Sequence, residues 1–187
     1  ILMALNFASI IGAVLFGMEQ QQLIIFMILV QVTSVAGAFL GGLIGDRIGY
    51  KETLVSSLLI MMAAVIWMIF AHTITEFYFI GALAGFSLTG VQSISRTLVG
   101  MFAPPGKSAE FYGFFAVTGR TSSFIGPTVY GFLAAEAAWW FERHGLGSLL
   151  AEQYGQRVAI ASITIFLLVG LLILLSVKNP AKDLRKL

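Results

Sequence analysis

Apolar runs of about 20 residues recur six times along this chain, and most of the connections between them are short. A hydrocarbon core about 30 Å thick takes about 20 helical residues to cross. Inside it, every backbone N–H and C=O must find its partner within the segment, so runs of this length are expected to be helices. They fall at about 1–17, 23–44, 53–71, 77–99, 110–134 and 157–177. The expected fold class is therefore an all-α membrane protein. Six transmembrane helices form one bundle over residues 1–177, and 178–187 make a basic tail. Short connections make consecutive spans antiparallel neighbours.

Charged residues make up 11% of the chain and apolar ones 58%, against about 25% charged in a soluble domain. The expected surroundings are a lipid bilayer. A net charge of +2 gives no case for nucleic acid. There is no Cys, so neither a disulfide framework nor a thiolate metal site can form. His72 and His144 both lie between apolar runs, which argues against a transition-metal centre. Ile1 already sits inside an apolar run, with no initiator Met and no basic leader before it; the simplest reading is a fragment cut within a first membrane helix.

Lys and Arg distribution sets an expected orientation. With a cytoplasmic C-terminus, the inner side holds Arg47, Lys51, Arg96, Lys107, Lys178, Lys182, Arg185 and Lys186, while the outer side holds Arg143 and Arg157. That bias matches the positive-inside rule, and Trp139 and Trp140 fall where an aromatic belt would lie. The stretch 135–156 reads as a long outer connection, and the spacing of Leu149, Leu150 and Tyr154 suggests a short surface helix within it.

Gly37, Gly41 and Gly45 are four apart and share a helical face, as do Gly81 and Gly85; such faces let another backbone come close. The second run ends in Gly42-Leu43-Ile44-Gly45-Asp46-Arg47-Ile48-Gly49-Tyr50-Lys51. Its Asp46, Arg47 and Lys51 can form a charge relay across a tight turn, or Asp46 can seat on a helix N-terminus. A plain charged turn that fixes topology is the alternative.

Arg120 lies near the middle of the fifth run, where a cation costs at least about 2.5 kcal/mol. Its neighbours at helical spacing include Gly113, Ala116, Ser123 and Pro127, the small and polar side of that helix. It is expected to face inward, either to bind an anionic group such as a substrate carboxylate or to pair with an acidic group elsewhere in the protein. Gly85, Thr89, Gln92 and Arg96 share a face of the fourth run; Gln92 is placed to line a solute path or to bond another helix, and Arg96 to snorkel. Gln31 with Ser34, and Asn6 with Ser9, invite the same pair of readings. Ser108 is expected to cap the fifth helix and Pro127 to bend it.

The turn from Gly42 to Lys51 resembles the loop signature of the major facilitator superfamily, which follows the second helix of each six-helix half. Ser95-Arg96-Thr97-Leu98, then Pro105-Gly106-Lys107-Ser108-Ala109-Glu110-Phe111-Tyr112-Gly113, Gly119-Arg120 and Gly126-Pro127, are similar to the vacuolar-effluxer-like branch, which includes amino-acid exporters. The resemblance implies the C-terminal half of a twelve-helix carrier, with an N-terminal six-helix half as partner. It also implies alternating access, with Gly42, Asp46, Arg47, Gly49 and Lys51 as gating residues whose partner helix lies in the other half. Tyr50 stands where the superfamily often has a basic residue, and Arg120 where a Lys is usual.

The expected function is secondary transport of small organic solutes, with amino-acid or metabolite efflux in view. Arg120, Gln92, Gln31, Asn6 and Ser123 are the candidate lining residues. A carrier needs a gradient and no cofactor. A non-transporting membrane receptor or assembly protein with the same fold is the rival. No span offers the paired carboxylates, His cluster or nucleophile with a base that an intramembrane enzyme would use. The expected location is a multi-pass protein of a bacterial inner membrane, C-terminus cytoplasmic.

Overall fold

A computed structural model of the chain describes residues 8–177. Among them are six helices and no strand: α1 (Ala8–Phe16), α2 (Gln20–Ile48), α3 (Tyr50–Phe70), α4 (Ile74–Phe102), α5 (Ser108–Arg143) and α6 (Ser148–Ser176). The chain is an all-α membrane protein. By length and apolar composition, α2, α3, α4 and α6 can each cross a bilayer. α5 is the longest, at 36 residues, and the polar stretch from Thr118 to Ser123 interrupts its apolar character.

The helices reach further into the connections than the apolar runs do, because capping chemistry rather than hydropathy sets their ends. Thr73 begins α4 with a capping box: its hydroxyl accepts from the Glu76 N–H at 3.2 Å, and the Glu76 carboxylate accepts from the His72 and Thr73 N–H groups at 2.9 Å. α2 and α3 are separated by Gly49 alone, whose φ of +108° is open to glycine and strained for other residues.

Two expectations fail here. Residues 135–156 are not a loop with a surface helix: α5 runs to Arg143 and α6 starts at Ser148, leaving 144–147 as the connection. The reason is close packing of small residues. A Cβ on Gly155 would meet the Ala134 carbonyl at 2.5 Å and the Ala138 Cβ at 2.9 Å, so the two helices run against each other through this zone. Ser108 does not cap α5; it is the first helical residue, and Lys107 holds the cap position without a side-chain bond. α5 continues through Pro127 in one piece.

The most extensively packed pair is not a sequential one. α2 lies chiefly against α4, and there the glycine faces meet. A Cβ on Gly37 would fall 2.0 Å from the Phe86 carbonyl oxygen; one on Gly85 would fall 2.6 Å from that of Val30. A Cβ on Gly41 would come within 3.4 Å of the Gly90 Cα. Ser34 donates to the Gly85 carbonyl at 3.1 Å across the same seam. Toward one end, Phe26 stacks on Phe77 at 4.4 Å and fills the space over Gly81. Met61, Ala64, Ile80 and Ile160 close the core from α3, α4 and α6.

Overpacking at such a contact costs about 1–3 kcal/mol. In the full-length protein, Gly37→Ala is expected to lower the melting temperature in detergent clearly, because the obstacle is backbone. Gly170→Ala, on an exposed stretch of α6 where the added methyl meets nothing within 4 Å, should melt like the parent. Equal melting of both variants would show that the α2–α4 approach is not the close one described.

Candidate functional site

α5 packs closely along α6 but touches α4 sparingly, and buries only Tyr130 among its 36 residues. The Tyr130 hydroxyl donates to Gln156 Oε1 on α6. At the other end the Tyr112 hydroxyl donates to the Arg96 carbonyl at 3.0 Å, tying α5 to α4 near the 103–107 connection. Between these two ties the helices part, and a cavity of about 720 Å³ opens.

That cavity gathers Gln92 and Arg96 from α4, Arg120, Ser122 and Ser123 from α5, and an apolar wall that includes Phe115, Ile163 and Leu167. Three expected residues therefore share one space: Arg120, Gln92 and Ser123. Arg96, expected to snorkel, also lines the cavity. Arg120 is twelve residues from the start of α5, about 18 Å along the helix, and Arg96 six residues from the end of α4, about 9 Å. Among the described residues neither guanidinium makes a hydrogen bond or ion pair. Gln31 is exposed on α2 and does not reach the cavity. Ser34 is engaged in the α2–α4 seam. Asn6 lies outside the described residues.

The hydroxyls of α5 are turned onto their own helix. Thr118 donates to the Phe114 carbonyl, Thr121 to Val117, Ser122 to Thr118, Ser123 to Arg120 and Thr128 to Phe124, all at 2.7–3.0 Å.

The Gly42–Lys51 turn differs from the expected charge relay. Asp46 accepts from the Tyr50 hydroxyl one helical turn on, not from Arg47, and the Tyr50 ring lies over Gly45. Tyr50 thus supplies the donor that a basic residue was expected to give. Lys51, expected to find its partner in another half of the protein, donates to the Leu175 carbonyl at 3.2 Å and to that of Val177. It caps the end of α6. Arg47 makes no polar contact among the described residues. Gly49 forms the joint, and Gly42 faces open space.

A second cation does the same at the opposite end. Arg157 of α6 donates to the Ile69 carbonyl and, at 3.0 Å, to that of Ala71, closing the end of α3. Gln153, one turn earlier, donates to the Val14 carbonyl of α1 at 3.2 Å. So α3 and α6, running antiparallel, each cap the other's C-terminus, where carbonyls lack helical partners and the dipole favours a cation. Arg143 rests over the Trp139 ring at 5.1 Å. Sequence reading missed these caps; the Gln153–Arg157 spacing of four ahead of the apolar run of α6 was the available signal.

The family model described as "Vacuole effluxer Atg22 like" matches residues 3–183. Autophagy-related protein 22 of Pichia angusta is 40% identical over 62 residues, 33% of this chain and 11% of that protein. The uncharacterized MFS-type transporter YxiO of Bacillus subtilis (strain 168) is 26% identical over 111 residues, 59% of this chain and 26% of YxiO. Autophagy-related protein 22-1 of Penicillium rubens is 28% identical over 115 residues, 60% of this chain and 17% of that protein. The chain thus spans about a tenth to a quarter of the length of these relatives. No solved structure matches.

Arg157→Met leaves the Ile69 and Ala71 carbonyls unmet and is expected to cost about 1–3 kcal/mol in SDS-induced unfolding of the full-length protein. Arg157→Lys should recover part of that loss. If the Met variant matches the parent, Arg157 is a topology charge and not a cap.

Proposed function

The chain belongs to the vacuole effluxer Atg22-like family, an MFS-like branch, and from that premise we propose that it is half of a secondary active carrier for small organic solutes. Amino acids and related metabolites are the proposed cargo, with efflux as the direction and alternating access as the mechanism. The observation that carries this reading is the cavity between α4 and α5, where Arg120, Gln92 and Ser123 face about 720 Å³ of open space in an otherwise apolar protein. A cation within a membrane span marks a solute or ion path more often than it marks packing.

The described half divides into parts with separate duties. The α2–α4 glycine seam makes a stiff frame, and α5 forms the cavity wall that a second six-helix half would close from the other side. The joint at Gly49, with Asp46 held by Tyr50 and Lys51 held by α6, braces one end of that frame. Gly42 and Arg47 remain free to meet the partner half. Lys and Arg counts favour placing this end, and the C-terminus, in the cytoplasm. The similar proteins named above are both fungal and bacterial, so they do not support the expected bacterial inner membrane over others. The chemistry proposed is transport, without a catalytic centre or a cofactor.

Reconstituted full-length protein should exchange at least one labelled member of a panel of amino acids, short peptides and organic acids across the vesicle wall. Arg120→Gln should reduce that flux about tenfold or more, the scale of one lost charge-assisted hydrogen bond. Arg143→Gln, at the far end of α5, should leave it intact. Absence of flux across the whole panel would favour the receptor or assembly reading.

A further inference from the structure

We propose that the α4–α5 cavity selects solutes of net negative charge with an apolar body, using Arg96 and Arg120 as paired anion anchors. This narrows the transport reading above, from amino acids at large to acidic ones and related organic anions, and rests on it. Two guanidiniums from different helices line one cavity, and among the described residues no Asp or Glu lines it with them. Within a membrane span a cation without a counter-charge is costly, and two lining the same space also repel. A zwitterion brings no net charge to offset them. A carboxylate or other oxyanion does, and the planar fork of Arg suits its geometry.

The remaining surfaces fit the same solute. Gln92 sits one helical turn from Arg96 on the same face of α4 and offers an amide donor and acceptor. Phe115, Ile163, Phe166 and Leu167 supply the apolar part of the lining. A site with a few convergent polar groups and a mainly apolar lining holds one end of a ligand by charge and the other by burial. The two arginines stand at different distances from the Tyr112 tie, so an anionic group can pass from one to the other along the cavity.

Four probes with one isobutyl body separate the possibilities: isobutylmalonate (dianion), 4-methylpentanoate (monoanion), leucine (zwitterion) and 4-methylpentanamide (neutral). Full-length protein in phosphatidylcholine vesicles is assayed for inhibition of solute exchange at neutral pH. Full-length protein in neutral detergent is assayed for ligand-induced thermal stabilisation. The two anions should bind about tenfold or more tighter than leucine or the amide in both assays. Arg96→Gln and Arg120→Gln should each erase that preference, and Arg96→Lys should retain part of it. Should a glutamine substitution unfold the protein, the wild-type ranking and the lysine variant decide alone.

Equal or better binding of leucine or the amide overturns the assignment while leaving transport standing. No flux of any solute defeats the transport reading, and the thermal assay still judges the anion preference. Stabilisation by phosphatidylglycerol and by no soluble anion would assign the cations to a lipid headgroup. Recovery of an Arg120→Gln variant by neutralising a carboxylate elsewhere in the protein would assign them to an internal ion pair. Either result ends the proposal.

Discussion

A helix in hydrocarbon satisfies its own interior, but its last carbonyls have no partner within the helix. The most consequential polar contacts in this bundle answer that problem. Lys51 closes α6, Arg157 closes α3 and Gln153 closes α1, each reaching from a neighbouring helix. The α3–α6 pair does so reciprocally, at both ends of the bundle. These bonds set how far each helix can slide along the other, since a shift of one turn would separate a cation from its carbonyls. With that register fixed, the apolar core of Met61, Ala64 and Ile160 can form between them.

Close packing is distributed unevenly around this clamp. The α2–α4 seam is backbone on backbone at Gly37 and Gly85, and leaves no room for a methyl group. α5 comes equally close to α6 at Gly155 but stands away from α4, to which it is tied at Tyr112. A cavity forms where these two helices part. The cations are on that boundary, Arg96 from α4 and Arg120 from α5.

Much of this was legible beforehand, for reasons that differ by level. Helix number and type follow from the dielectric of lipid, which forces any apolar run of that length to close its own hydrogen bonds. The glycine faces were readable because periodicity of four maps directly onto a helix surface, and the cavity residues because Arg120 and Gln92 are polar at depth. What was hidden depends on pairing between distant segments. Nothing near Lys51 in sequence announces Leu175, and nothing near Arg157 announces Ala71. The α5–α6 contact was a softer failure: Ala134 and Ala138 on one helix and Ala151 and Gly155 on the other repeat the small-residue spacing, but the charges between them read as a loop.

The self-bonded hydroxyls of α5 have a consequence for how its wall meets a guest. Each carbonyl that Thr118, Ser122 or Ser123 touches belongs to a helical ladder and already receives a backbone N–H in an unbroken helix. Swinging one of these side chains outward therefore strips no peptide group of its partner and asks for little more than a rotamer change. The surface is convertible: near-inert when vacant, hydrophilic when occupied, with the backbone indifferent to which.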